Sequence, residues 1–340
     1  MGLQVGFRAL GPTALARRGP RRSSVLPEKF PKTLVEFDER FATEEACRSY
    51  LAGLRWPEGF RCPGCGHDRA WVNRRHDFEC ARCHRQTSLI AGTILEGTRR
   101  PLGLWFKAMW WVSTQKTGGS AKGLQRLLGL KSYQTAWTWL QKVRRAMVRP
   151  GRDRLLGPVE VDDAFLGGVE PGVAGRHSET KARIAVAVEV GEGKIGRVRL
   201  RHVPDFSAES LVPFVEASVE PGSEVRTDGW EGYEALRSRG YRHRVLVIGR
   251  DRSQASRLLP AVHRVIALLK RWLLGTHHGR VEGKHLQAYL EEFAFRFNRR
   301  KSRHVGKIFF RLLEQGAHTG PAPYREIVRR ARSGRPKPSG

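Results

Sequence analysis

Apolar positions change their period several times along the chain, and each change marks a new kind of element. Residues 102–116 (LGLWFKAMWWVSTQK) crowd apolar side chains onto one broad helical face, which predicts a helix packed into a core. In 118–147 two shorter helical patterns follow. Ser120 caps a helix carrying Leu124, Leu127 and Leu128, Gly129 closes it, and Ser132 caps a second helix through Met147. Pro150–Gly151 ends this helical segment and marks a domain boundary. From 157 onward the period becomes two. Strands are expected at 158–166 (PVEVDDAFL), 182–190 (ARIAVAVEV), 196–203 and 223–228, with a helix near 207–218. A helix near 230–239, a strand at 244–248 and a helix from about 259 to 274 follow, and helical patterning continues to about 315. Upstream, 28–60 reads as a short helical lead-in, and 61–98 is rich in Cys, Gly and strand-like runs.

Charge narrows the partner. Sixty-two Lys and Arg against 33 Asp and Glu give a net charge of +29 over 340 residues, which points to a polyanion, nucleic acid ahead of an anionic membrane. Apolar runs such as 104–112 reach about half of the roughly 20 residues that a membrane span needs, so an integral membrane protein is excluded. With 40% hydrophobic residues and nine tryptophans the chain can bury a sizeable core, enough for two or three domains. Five cysteines are too few for a disulfide scaffold and imply a reducing compartment or a metal site. Residues 1–27 are Arg-rich with no acid before Glu28; they read as a flexible basic arm for DNA phosphates ahead of a transit peptide. Residues 318–340 read as a loose basic tail.

The firmest motif is Cys62-Pro-Gly-Cys65, followed after 14 residues by Cys80-Ala-Arg-Cys83. Two CxxC knuckles at this spacing can turn four thiolates toward one tetrahedral zinc, and a closed four-sulfur site is structural. Gly64 and Gly66 allow the tight turn, while Arg61, Arg69, Arg82 and Arg85 favour thiolate over thiol. The competing reading is a redox or merely structural set of thiols. Cys47 is left over as a buried apolar thiol.

Two helices across a short turn at 120–147 form a helix-turn-helix candidate, with an ordinary helical hairpin as the alternative. Lys131, Lys142, Arg144 and Arg145 are its candidate phosphate contacts. Further on, 158–166 carries Asp162 and Asp163, and the strand at 223–228 ends in Asp228. Acids at the ends of neighbouring strands can converge on hard cations such as Mg2+, as phosphodiester chemistry requires. His263 follows Asp228 after 34 residues, with Lys270 two helical turns further on the same face. A lone helical histidine is ordinarily a packing group, but this one stands where a third metal ligand is needed. In 293–303 (FAFRFNRRKSR) aromatics alternate with Arg296, Arg299 and Arg300, so the aromatics are expected inward and the basic groups along DNA. His277 and His278 fall in an expected loop at 275–279.

Taken together, CPGC…CARC, SLIAGTILEGTRRPLGLWFKAMW, VEVDDAFLGG, RTDGWEGY, HRVIALLKRWLLGTHHG and HLQAYLEEFAFRFNRR resemble the DDE transposases of bacterial insertion sequences. The similarity is to the group with an N-terminal zinc ribbon, and it runs from about 28 to 315. It implies an α+β multidomain chain with these parts: the arm at 1–27, lead-in and zinc ribbon at 28–98, a helical DNA-binding segment at 99–150, a ribonuclease-H-like catalytic domain at 157–316, and the tail at 317–340. By this resemblance Asp162 and Asp228 are the first two catalytic aspartates. The third position, commonly Glu or Asn with a basic residue seven further on, falls on His263 and Lys270. That departs from an acidic triad, although neutral imidazole can ligate divalent metal. Asp163 is a reserve ligand, and Glu291 and Glu292 are later carboxylate alternatives.

The resemblance further implies structural Zn2+ on the four cysteines and catalytic Mg2+ or Mn2+ on Asp162, Asp228 and His263. It implies cleavage of transposon-end DNA and strand transfer into target DNA by a homo-oligomer in the bacterial cytoplasm, on the nucleoid, with no membrane partner and no small-molecule cofactor. The rival expectations are a decayed, transposon-derived DNA-binding protein and a structure-specific nuclease of similar fold.

Overall fold

The computed structural model describes residues 30–149, 151–167, 178, 181–191, 193–246, 255–277 and 283–328. The expected arm at 1–27, His278, and the tail beyond 328 lie outside the described residues. The chain forms two compact units: one runs to Lys107 and takes back His304–Pro321, the other holds Ala108–Arg303 and the residues from Ala322 onward.

The first unit opens with helices α1 (Leu34–Arg40) and α2 (Glu44–Arg55). Each is capped by a threonine: Thr33 Oγ1 accepts from Glu36 N at 3.2 Å and Thr43 Oγ1 from Ala46 N at 3.1 Å. A three-stranded antiparallel ribbon follows, β1 (Ala70–Val72), β2 (Phe78–Cys80) and β3 (Gln86–Thr87). Helix α10 (Val305–His318), far along the chain, packs on α2, and Phe309 joins Phe37, Phe41 and Phe106 in one aromatic cluster with centroid spacings of 5.1–5.9 Å. The division between units falls inside helix α3 (Leu102–Thr114).

In the second unit α4 (Ala121–Leu128) and α5 (Tyr133–Ala146) form the expected hairpin. Ser120 Oγ accepts from Gly123 N, Ser132 Oγ from Gln134 N, and Gly129 closes α4 in the left-handed conformation at φ 60°. The centre of the unit is a five-stranded mixed sheet in the order β6-β5-β4-β7-β8, from β4 (Pro158–Leu166), β5 (Ala182–Gly191), β6 (Lys194–Val203), β7 (Glu224–Thr227) and β8 (Arg242–Val245). Strand β5 runs antiparallel to β4 and β6, while β4, β7 and β8 run parallel, which is the ribonuclease-H-like arrangement. Strand β5 is apolar on both faces because both are covered. Ile184, Val186, Val188, Val198 and Leu200 pack under α8 (Pro260–His277) and α9 (Gly283–Asn298). Val159, Val161, Ala185 and Ala187 pack under α6 (Ala208–Ser218) and the 3-10 helix Glu231–Leu236. Each fully buried Val, Leu or Ile side chain contributes about 1.5–3 kcal/mol by leaving water, so this two-sided burial makes β4 a rigid base for what it carries.

Strand β6 is an edge, and α9 covers it with polar side chains. Asn298 Oδ1 accepts from Val198 N at 2.7 Å and its Nδ2 donates to Val198 O at 3.2 Å. Gln287 Oε1 accepts from His202 N at 2.8 Å, and Arg300 donates to the carbonyls of Gly196 and Ile195. These bonds occupy the groups a free edge would offer to another chain.

Several boundaries differ from expectation. The helix near 230–239 is the shorter 3-10 turn, the last strand begins two residues earlier at Arg242, and α8 continues through His277, so His277 lies on a helix rather than in a loop. Within the expected loose tail, Tyr324–Val328 form helix α11, held on α5 by a 2.9 Å bond from Gln134 Nε2 to Tyr324 Oη. A short helix α7 (Ala255–Leu258) precedes α8.

Candidate functional site

The four cysteines meet. Their sulfurs all lie within 4.8 Å of one another, with Cys62 Sγ 3.5 Å from Cys83 Sγ and Cys65 Sγ 3.6 Å from Cys80 Sγ. The two knuckles use the same turn: Gly66 N donates to Cys62 O and His84 N to Cys80 O, and the residue after each second cysteine is left-handed, Gly66 at φ 71° and His84 at φ 57°. Gly64 serves a different purpose from the one expected. It is not left-handed, and a Cβ there would stand 2.9 Å from Arg85 Cδ, so it makes room for a side chain. Backbone N–H groups aim at the thiols, from Gly64 to Cys62 and from Arg82 to Cys80, each at 3.4 Å. Desolvation opposes ionisation of Cys62, yet these donors and the neighbouring thiols outweigh it and bring it down to about 6. Cys80 is lowered as well, helped by the backbone N–H groups of Cys83 and Arg82, whereas the neighbouring thiols push Cys65 up to about 12. Four convergent sulfurs fit a tetrahedral zinc, whose charge would hold them as thiolates. Cys47, by contrast, is fully buried on α2, and burial pushes its thiol up to about 11.

In the second unit the two candidate aspartates are carried by neighbouring parallel strands, Asp162 on β4 and Asp228 just after β7. The parallel register pairs Val159 with Val225 and Glu160 with Arg226; Asp162 lies two residues further along β4, and Asp228 follows directly after the last residue of β7. Asp162 is buried on the α8 side of the sheet, opposite Val186. His263, in the first turn of α8, places Nε2 3.6 Å from Asp162 Oδ2. That nitrogen is buried with no hydrogen-bond partner. Burial lowers the His263 pKa below the usual histidine value, with Asp228 pulling it up and Lys270 adding to the fall. The shift favours the neutral imidazole, the form in which histidine can ligate a divalent cation together with a carboxylate. Asp228 Oδ1 accepts from Trp230 N at 3.2 Å, fixing the turn after β7. Among the described residues only the cysteines bring three ligand atoms within 4.8 Å, so the Asp162–Asp228–His263 trio is more open than a closed cage. Lys270 is exposed on the same face of α8 as His263.

The reserve ligands sit elsewhere. Asp163 points to the opposite face of β4, beside Ala185, where Tyr233 Oη donates to its Oδ1 at 3.4 Å. Glu291 is bound by Arg152 at 2.7 Å, and Glu292 by Arg144 at 2.7 Å and Arg296 at 2.8 Å. Both glutamates are thus engaged by arginines within the helical layer.

Those ion pairs also relocate several expected DNA contacts. Arg144 has only 3% of its side chain exposed; it binds Glu292 and lies over the Tyr289 ring at 4.1 Å. Arg296 binds Glu292 and the carbonyls of Val112 and Gln115. Arg300 covers the β6 edge and stacks on Phe297, and Arg299 lies 3.8 Å over Phe295. Lys142 is buried. Lys131 and Arg145 alone of the seven are exposed without such an interior contact described above. The aromatics Phe293, Phe295 and Phe297 point inward as expected.

One residue escaped the sequence reading. Glu160, two before Asp162 on the same face of β4, is 2% exposed and accepts from Ala261 N at 2.8 Å and Val262 N at 2.9 Å. An acid in the alternation V-E-V-D, on the face of Asp162, was the available signal.

Residues 154–298 match the ISXO2-like transposase domain, and residues 42–86 match the transposase zinc-ribbon domain. A relative from Halobacterium salinarum, described as an uncharacterized protein in transposable element ISH50, is 27% identical over 279 residues, covering 75% of this chain and 91% of the relative. A chain in a cryo-EM structure of the simian T-cell lymphotropic virus intasome with PP2A regulatory subunit B56 gamma aligns at 18% identity and a TM-score of 0.27, over 49% of this chain and 63% of that one, a likeness too slight to bear on the fold. With both matches in the order of the four-sulfur ribbon and the mixed sheet, the chain carries a transposase zinc-ribbon domain followed by an ISXO2-like transposase domain.

Proposed function

We propose that the protein binds the ends of its own element, cuts the phosphodiester there and joins the freed 3′-hydroxyl to target DNA, acting as a homo-oligomer on the nucleoid. What supports this reading is that β4, which carries Asp162, lies parallel beside β7, which Asp228 follows, with the buried His263 Nε2 3.6 Å from Asp162 Oδ2. Asp162, Asp228 and His263 would hold Mg2+ or Mn2+, which when bound activates a nucleophilic oxygen and stabilises charge on the leaving oxygen. Burial lowers the His263 pKa and so favours the neutral imidazole, which would offer a lone pair where a carboxylate would offer charge. Lys270 offers a cation on the same helical face, where it can meet a phosphate next to the scissile one. The zinc-bound knuckles would hold the ribbon rigid for end recognition. No helix among the described residues is long and apolar enough to cross a membrane.

The test is a strand-transfer assay with the element's inverted repeats and Mg2+ or Mn2+. Wild-type protein is expected to cut and join, while Asp162→Asn and Asp228→Asn each abolish cutting and retain end affinity, because affinity comes from Lys and Arg on phosphates. Cutting without joining would favour a nuclease. End binding with no metal-dependent cutting by the wild type would favour a protein that has kept only recognition.

A further inference from the structure

Helix α8 starts at Pro260, which has no N–H, so the first free donors of the helix are those of Ala261 and Val262. Both are bonded to the same oxygen, Oε2 of Glu160. A carboxylate on the first turn of a helix meets both the unsatisfied N–H groups and the positive end of the helix dipole. The residue after Val262 is His263. On β4, Glu160 and Asp162 are alternate residues on one face, opposite Val188 and Val186. One rigid strand therefore carries both the carboxylate that faces His263 and the carboxylate that grips the backbone just before it.

From this placement we infer that Glu160 is a positioning residue: by tying the first turn of α8 to β4, it sets the distance between the His263 imidazole and Asp162. The inference rests on the reading of Asp162 and His263 as joint metal ligands. Glu160 is not itself a ligand of that centre. Alternate residues on a strand are about 6.6 Å apart, and its bonded oxygen is committed to two N–H groups in a site only 2% exposed. Ordinary fold stabilisation does not account for the arrangement as well. The helix face is already anchored by Val262, Val265, Ile266 and Leu269 in the core, and that apolar contact can slide or rotate slightly, whereas two hydrogen bonds to one oxygen fix the first turn in register.

The experiment is Mn2+ binding to the full-length protein, followed by the electron paramagnetic resonance of free Mn2+, for wild type, Glu160→Gln, His263→Ala and the double variant, with thermal unfolding in parallel. Loss of supports to metal ligands commonly weakens affinity about 10- to 100-fold. Glu160→Gln is expected to weaken Mn2+ binding about tenfold while the protein remains folded, and the double variant is expected to bind no more weakly than His263→Ala alone. Unchanged Mn2+ affinity in folded Glu160→Gln overturns the inference, as does a double variant in which the two losses multiply. If His263→Ala leaves Mn2+ affinity unchanged, the ligand reading itself fails, which is a separate outcome. Should Glu160→Gln not fold, Glu160→Asp keeps the charge, shortens the reach by one methylene and is read by the same cycle.

Discussion

Arg144 separates two roles that a basic helix residue can have. Its side chain is 3% exposed, its Nε lies 2.7 Å from Oε2 of Glu292, which is 2% exposed, and its guanidinium covers Tyr289. Replacing it by alanine leaves a buried carboxylate with Arg296 as its remaining charged partner. Breaking a buried pair by removing one member costs about 3–5 kcal/mol; since Arg296 still binds Glu292 Oε1 at 2.8 Å, the lower end applies, about 3 kcal/mol. For a unit of this size each kcal/mol moves the midpoint by about 2–4 °C, so Arg144→Ala should unfold about 6–12 °C below wild type. Below that transition its DNA affinity and the salt dependence of that affinity should match wild type. Arg145→Ala, one residue on and exposed, should show the reverse: a stability change within about 0.5 kcal/mol and a salt slope shallower by about 1. Calorimetry and a salt titration of end binding decide. A shallower slope with an unchanged midpoint in Arg144→Ala would refute the buried role. Acid provides a second check. Burial opposes ionisation of Glu292, but Arg144 and Arg296 outweigh it and hold the carboxyl below its ordinary range. A depressed carboxyl contributes stability that is full above the unfolded pKa and is lost as pH falls through the folded one, so Arg144→Ala should begin to unfold at a higher pH than wild type on acidification.

Metal analysis should find one zinc per chain, and Cys80→Ser should lose it together with the ribbon's compact fold and much of the end affinity; full affinity in the metal-free variant would contradict this. Asp163→Asn should keep metal-dependent cutting, because Asp163 faces Tyr233 on the far side of β4; loss of cutting in a folded protein would return it to the site. Since burial holds the His263 pKa below its usual 6.5, cutting should persist below pH 6.5 before protonation of the imidazole stops it, and His263→Glu should extend activity toward the carboxylate range near pH 4.3. A pH–rate profile whose acid limb sits above 6.5 in wild type, or is unmoved by His263→Glu, would count against ligation.

Features set by local chemistry were legible in the residues themselves. The CxxC spacing brought four sulfurs to one point, Ser120, Gly129 and Ser132 capped the helices they were assigned, and alternation in PVEVDDAFL and ARIAVAVEV located the two central strands. Features set by partners remote in sequence were not. Arg144 and Glu292 are 148 residues apart, and α5 is buried on most of its circumference, including Gln141 and Lys142, so its basic residues look solvated only when the helix is taken alone. Likewise Arg300 and Asn298 appear as polar surface until the exposed edge of β6 is set beside them. The return of α10 to the first unit has no local marker either, because an amphipathic helix does not say which core it enters.

The same reasoning changes how the charge of +29 should be used. Nucleic-acid affinity depends on cations that can exchange counterions for phosphates, and a guanidinium consumed by a buried carboxylate or an edge carbonyl is not among them. Arg144 and Arg296 are held by Glu292, and Arg300 is held by the β6 edge, so three of the seven residues expected along DNA act to hold α5, α9 and the sheet together. What they secure is the layer in which α8 lies, and through Glu160 the first turn of α8 is tied to the strand that carries Asp162. A basic composition here thus has two consequences at different levels. Exposed residues such as Lys131 and Arg145 remain available to phosphates, while buried arginines stiffen the scaffold that carries Asp162, Asp228 and His263, the cation ligands proposed above. A charge-reversal scan of the exposed set should therefore lower affinity and leave cutting of already bound DNA intact, whereas substitutions in the buried set should lower thermal stability before they alter affinity.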